Sequence, residues 1–116
     1  MENSTCIFCK IVKKEIPAKI VFEDNKVLAF EDVSPQAPVH ILIIPKAHIE
    51  KLSDIKEESA AIIGRLTVTA NMLANEKKVD RSGYRVVVNC GYDAGQAVSH
   101  LHMHLLGGRP MGWPPG

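Results

Sequence analysis

The sequence predicts an α+β fold built on a mainly antiparallel sheet. Three features point there: short β-branched and aliphatic runs along the 116 residues, one long stretch with helical periodicity, and links of hairpin length. Residues 6–14 read as a short helix stopped before Pro17. Residues 20–23 and 27–30 are two short strands, and Asp24-Asn25-Lys26 between them carries turn chemistry, which makes a hairpin. Ser34-Pro35-Gln36-Ala37-Pro38 is a loop, because two prolines remove donors and fix φ. Residues 39–44, an aliphatic run closed by Pro45, have the signature of a buried strand.

The long helix is expected after Leu52, where Ser53 and Asp54 are capping types and Asp54 with Glu57 resembles a capping box. Ile62, Leu66, Ala70 and Leu73 recur at helical spacing, with Ile63 and Val68 widening the stripe. Lys77 and Lys78 complement the negative end of the helix dipole. Residues 84–89 form another strand, residues 91–95 a flexible loop, and residues 99–106 the last strand. The tail, residues 110–116, is too rich in proline and glycine for regular structure.

Length and composition predict one domain spanning residues 1–116, with 46% apolar and 23% charged residues, an ordinary globular balance. Fourteen basic residues face thirteen acidic ones, and no Lys/Arg run builds the positive surface that nucleic acid requires. The first residues show no basic segment followed by an apolar stretch, and no apolar run approaches the roughly 20 residues of a membrane span. A cytoplasmic protein with neither nucleic acid nor membrane as partner is expected. Three cysteines, an odd number, argue against a disulfide framework, and Cys6-Ile7-Phe8-Cys9 suggests metal or redox chemistry.

The chemistry concentrates in His100-Leu101-His102-Met103-His104. Alternate side chains of a strand share a face, so the three imidazoles start on one side, about 6–7 Å apart, while Leu101, Met103 and Leu105 serve a core. A buried imidazole without partners costs about 1–3 kcal/mol, so three in alternation imply a use. A three-histidine metal centre is one option, and nucleophilic catalysis is the other. Gly91, Gly95, Gly107 and Gly108 flank the strand and supply bare N–H groups suited to phosphate oxygens. That favours phosphoryl or nucleotidyl transfer, in which one ring attacks and its neighbours orient it or stabilise anionic oxygens.

The stretch His100-Leu101-His102-Met103-His104-Leu105-Leu106 resembles the signature of the histidine triad family. Lys14-Glu15-Ile16-Pro17-Ala18-Lys19-Ile20, Ser34-Pro35-Gln36-Ala37-Pro38, Ile44-Pro45-Lys46 and Trp113-Pro114-Pro115-Gly116 are similar to its nucleotide-binding branch, so the likeness spans essentially the whole chain. It implies a five-stranded antiparallel sheet with two helices, paired by a two-fold axis into a homodimer with a continuous ten-stranded sheet. It implies a purine nucleoside phosphoramidase acting through a nucleotidyl-histidine. His102 is then the nucleophile, His104 contacts phosphate oxygens, and His40 belongs to the orienting relay. Asp32 accepts from the ribose hydroxyls, and Phe8, Ile11 and Val33 line the base pocket. Asn89 and the Gly95-Gln96-Ala97 backbone hold the phosphate. Ala97 replaces the serine of better-known members, whose hydroxyl assists the leaving group. In the family the tail lies near the partner's active site and influences substrate choice.

Cys6 and Cys9 with His48 and His100 offer a Cys₂His₂ set, and the alternative is a pair of buried thiols on a short helix. The resemblance favours structural zinc on this quartet, with His100 as ligand rather than relay member. Two rival functions share the pocket: a regulatory nucleotide-binding module with little turnover, which Ala97 supports, and a dinucleoside polyphosphate hydrolase, which the tail disfavours.

Overall fold

The computed structural model describes residues 3–116. Five strands form one antiparallel sheet: β1 (Ile20–Glu23), β2 (Val27–Glu31), β3 (Val39–Pro45), β4 (Tyr84–Val87) and β5 (Met103–Gly107). Their spatial order is β1-β2-β3-β5-β4. Helix α1 (Ile7–Val12) precedes the sheet and α2 (Ala61–Glu76) joins β3 to β4. No described helix is long and apolar enough to cross a membrane. The β1–β2 hairpin forms as its turn residues dictate, with Asp24 Oδ1 accepting from the N–H groups of Lys26 and Val27 at 2.8 Å.

Strand parity divides the core. Val27, Ala29, Ile41, Ile43, Leu101, Met103 and Leu105 pack with Leu66, Ala70 and Leu73 of α2. Leu28, Phe30, Leu42 and Ile44 point the other way, against Phe8 and Ile11 of α1. The register sets Phe30 opposite Leu42 and Leu42 opposite His104, one row across three strands.

The long helix starts later than its sequence suggests. Ser53 and Asp54 belong to a 3₁₀ turn over Leu52–Asp54, and a second turn spans Glu57–Ser59. Between them Ile55 is extended (ψ 132°) and packs against the α2 side of the core, which breaks any helix through that point. The cap therefore shifts: the Lys56 N–H donates to Ser59 Oγ at 3.0 Å. Val68 does not widen the stripe; it is 68% exposed. Two residues past Leu66 is about 200° around a helix, the far side. Regular pairing also ends sooner, with β4 stopping at Val87 and β5 beginning at Met103.

Gly107 is required by packing. A Cβ there would lie 2.9 Å from Cβ and Cγ2 of the buried Val79. Gly107→Ala is expected to destabilise the fold by about 1–3 kcal/mol, read as a lower urea midpoint at unchanged slope.

Candidate active site

His100, His102 and His104 lie on the α1 side of the sheet, while Leu101, Met103 and Leu105 enter the α2-side core. The Phe8 ring stands edge-on to His100 and His102, with centroids 5.8 and 5.2 Å away, and edge-on to Phe30 at 5.4 Å. His102 and His104 are 5.1 Å apart by centroid.

Each ring is oriented by a partner that can play one role only. The His102 Nδ1–H donates to the His100 carbonyl at 2.7 Å, because a carbonyl only accepts, so Nε2 keeps its lone pair. The Gln36 N–H only donates, so His40 Nδ1 accepts it at 3.0 Å and His40 Nε2 carries the proton. That proton points to His104 Nδ1 at 2.9 Å, with Asp32 Oδ2 at 3.4 Å. His104 is left with an Nε2–H. Among the described residues no side-chain nitrogen is both sealed from solvent and unpartnered, and neither the His102 nor the His104 Nε2 has a protein partner. Both therefore open to the surface. A lone pair and an N–H stand side by side, facing out.

Burial favours the neutral forms of His104 and His40. It pushes His104 down to about 4, helped by His102 and His40 and opposed by Asp32. It also lowers His40, against the pull of Asp32. Between the ordinary value of 6.5 and about 4, His104 binds fewer protons folded than unfolded, so acid favours unfolding across that window. Stability is expected to be full above pH 6.5 and to fall towards pH 4, by on the order of 3 kcal/mol from this ring. Thermal melts at pH 7 and 4.5 measure it.

A second cluster adjoins the first. His100 Nδ1 lies 3.4 Å from Cys6 Sγ, 3.6 Å from Cys9 Sγ and 3.2 Å from His48 Nδ1, and Cys9 Sγ is 3.3 Å from His48 Nδ1. A tetrahedral ion bound at about 2.3 Å by sulfur and about 2.0–2.1 Å by nitrogen spaces its ligands about 3.3–3.8 Å apart. The His100 Nε2–H donates to the Pro45 carbonyl at 2.9 Å, which turns the Nδ1 lone pair towards the other three groups. The donor set fits zinc. Locally, Cys6 Sγ caps α1 by accepting from the Cys9 N–H at 3.4 Å, which places both sulfurs on one side of the turn. His100 is wholly buried, and burial pushes it down to about 4 against the pull of the Pro45 carbonyl.

Asp32, His40 and His104 also converge, within 4.8 Å of one another. The Gln36 N–H forces the proton onto His40 Nε2, the atom a metal would need bare. The trio is thus linked by the His40 Nε2–H rather than arranged around a shared ion.

The remaining predicted residues divide. Asp32 Oδ1 accepts from the Ser34 N–H at 2.7 Å, and Asp32 and His40 line a cavity of about 140 Å³ with Pro35, Pro38 and Val39. Phe8 and Ile11 are buried together, whereas Val33 is fully exposed and joins no cluster with them. The β4–β5 pairing stops at Val87 opposite His104, two residues short of Asn89 and His102. The N–H groups of Gly95 and Gln96 already donate to Tyr92 and Gly91 carbonyls, while that of Ala97 meets no carbonyl among the described residues. The Gln96 side chain braces its loop, accepting from the Gly91 N–H and donating to the Glu50 and Val98 carbonyls. A larger cavity, about 530 Å³, opens near Lys26, Lys46 and Arg65 and contains neither histidine nor cysteine. We place the chemistry at the histidines.

Three contributors were missed from sequence: Phe30, the Gln36 N–H and the Pro45 carbonyl. Parity could have found Phe30, which lies two residues before Asp32; main-chain donors and acceptors leave no mark in a sequence.

The HIT domain model matches residues 13–111. A 14 kDa zinc-binding protein of Zea mays is 50% identical over 118 residues, covering 100% of this chain and 91% of the relative. Adenylylsulfatase HINT1 of Arabidopsis thaliana is 50% identical over 116 residues, covering 98% of this chain and 78% of the relative. The crystal structure of a HIT family hydrolase from Legionella pneumophila superposes with a TM-score of 0.95 at 48% identity, covering 97% of this chain and 100% of that one. The chain belongs to the HIT family and shares the fold of a HIT family hydrolase.

Proposed function

We propose that this protein hydrolyses purine nucleoside 5′-phosphoramidates such as adenosine 5′-phosphoramidate. The observation that carries the reading is the outward pair, a His102 Nε2 lone pair beside a His104 Nε2–H. Nε2 of His102 attacks the α-phosphorus, an Nε2–P bond forms and the P–N bond breaks. The amine takes up a proton from solvent as it leaves, and water then cleaves Nε2–P, giving its own proton back to solvent, to yield the nucleoside monophosphate and free His102. The Nδ1–H bond to the His100 carbonyl steadies the ring as it becomes cationic. His104 donates to a phosphate oxygen, and its neutrality above about pH 4 keeps Nδ1 bare to accept from His40. Asp32, Phe8, Ile11 and Val33 are assigned to the nucleoside, and Asn89 with the Gly95-Gln96-Ala97 segment to the phosphate. Cys6, Cys9, His48 and His100 are assigned to a structural zinc, which ties α1 to the sheet and takes no part in the steps. A cytoplasmic setting, where thiols stay reduced and able to ligate metal, is assigned with them. Pairing of two chains is supported by exposed Val86 on the edge strand β4.

A second reading concerns the leaving group. Ala97 has no hydroxyl to protonate a departing amine, and sulfate leaves without a proton. Adenylyl sulfate is therefore the rival substrate, the one that the Arabidopsis relative's name indicates. Steady-state AMP release from a fluorogenic adenosine phosphoramidate, adenylyl sulfate and diadenosine polyphosphate separates them. The highest kcat/KM is expected on the phosphoramidate. A higher value on either rival would replace the reading, and AMP binding without turnover would reduce the protein to a regulatory module.

A further inference from the structure

We propose that the Cys6-Cys9-His48-His100 centre and the nucleotide cleft are energetically coupled, each tightening the other, through Phe8 and His100 as positioning residues. The inference rests on the nucleotide reading above and adds a regulatory link to it.

Two physical connections join the sites. The first is α1. Its six residues are too few for a helix that holds itself together, so its position is set by what it is tied to. Cys6 and Cys9 bind it to the quartet on one side. Phe8, between them, places its ring against His102 at 5.2 Å and Phe30 at 5.4 Å on the other. An ion on the sulfurs therefore fixes the wall that the base and the nucleophile share.

The second connection is His100. Its Nδ1 belongs to the quartet, its Nε2–H is anchored on the Pro45 carbonyl, and its own carbonyl holds the His102 Nδ1–H at 2.7 Å. One residue thus grips the ion with its side chain and the nucleophile with its main chain. A nucleotide that aligns His102 and presses on Phe8 orders the ion's ligands, and the ion orders the cleft in return. Linkage makes the effect equal in both directions.

The test uses zinc-loaded protein. Apparent zinc affinity is measured by competition with a chromophoric chelator, with and without saturating AMP. AMP is expected to raise it about five-fold or more, the lower end of ordinary coupling. Phe8→Ala is expected to keep one bound zinc and lose most of that gain. Because zinc-stripped protein can unfold, and any native-state ligand would then raise zinc affinity, a second measurement stays on the loaded form. Cobalt(II) in the quartet gives visible absorption bands that report ligand geometry. AMP is expected to shift them in wild type and not in Phe8→Ala, each held at an AMP concentration that calorimetry shows to be saturating for that protein. Unchanged bands with AMP demonstrably bound by calorimetry would overturn the coupling, even if zinc affinity rose. Failure of AMP to bind the loaded protein would instead remove the nucleotide reading, and this inference with it.

Discussion

Replacing His102 by alanine is expected to lower kcat/KM on a phosphoramidate by on the order of 10⁴-fold or more while AMP still binds. A nucleophile cannot be substituted by its surroundings, and single deletions of such residues cost about as much as losing the whole constellation. The neighbouring groups that would remain, His104 on His40 and Asp32 beside it, hold their positions through bonds that do not pass through residue 102. Acid-free quench and mass spectrometry should find a nucleotidyl adduct on wild type and none on His102→Ala. An adduct of equal yield on the variant would move the nucleophile elsewhere, and His104 would be the next position to examine.

The second large effect is expected from Cys6→Ser/Cys9→Ser. Wild-type protein should carry one zinc per chain by elemental analysis, and the variant none. Free zinc at a thousand times its dissociation constant stabilises the folded state by about 4 kcal/mol, so the variant should lose about that much. For a chain of this size that is roughly 15 °C in melting temperature. Cys9 is buried and His100 wholly so, which leaves the site few ways to relax once the ion is gone. Equal metal content in the two proteins would reject the quartet, and the sulfurs would then be buried thiols capping α1.

Much of this arrangement was legible because alternation is unforgiving. With Leu101, Met103 and Leu105 committed to the α2-side core, His100, His102 and His104 had only the other face. The Asp24 turn and the apolar strand over Val39–Pro45 were readable for similar local reasons. The start of α2 was not, because packing of half-buried Ile55 against the core overrides the capping preference of Ser53 and Asp54. Val68 misled because apolarity was counted without its angle about the axis. Val33 is apolar by sequence yet fully exposed, outside the buried cluster that holds Phe8 and Ile11. Cys6, Cys9, His48 and His100 were grouped by residue type and family likeness, and the distances of 3.2–3.6 Å among them could come only from the fold.

The hydrogen bond from Gln36 to His40 has a consequence for how the relay tolerates change. Which imidazole nitrogen is bare is decided by an amide of the polypeptide itself, so nineteen of the twenty genetically encoded residues could occupy position 36 and still deliver that instruction. Drift in the loop's outer chemistry can thus retune what meets the cleft and leave the proton's address intact, with proline alone forbidden.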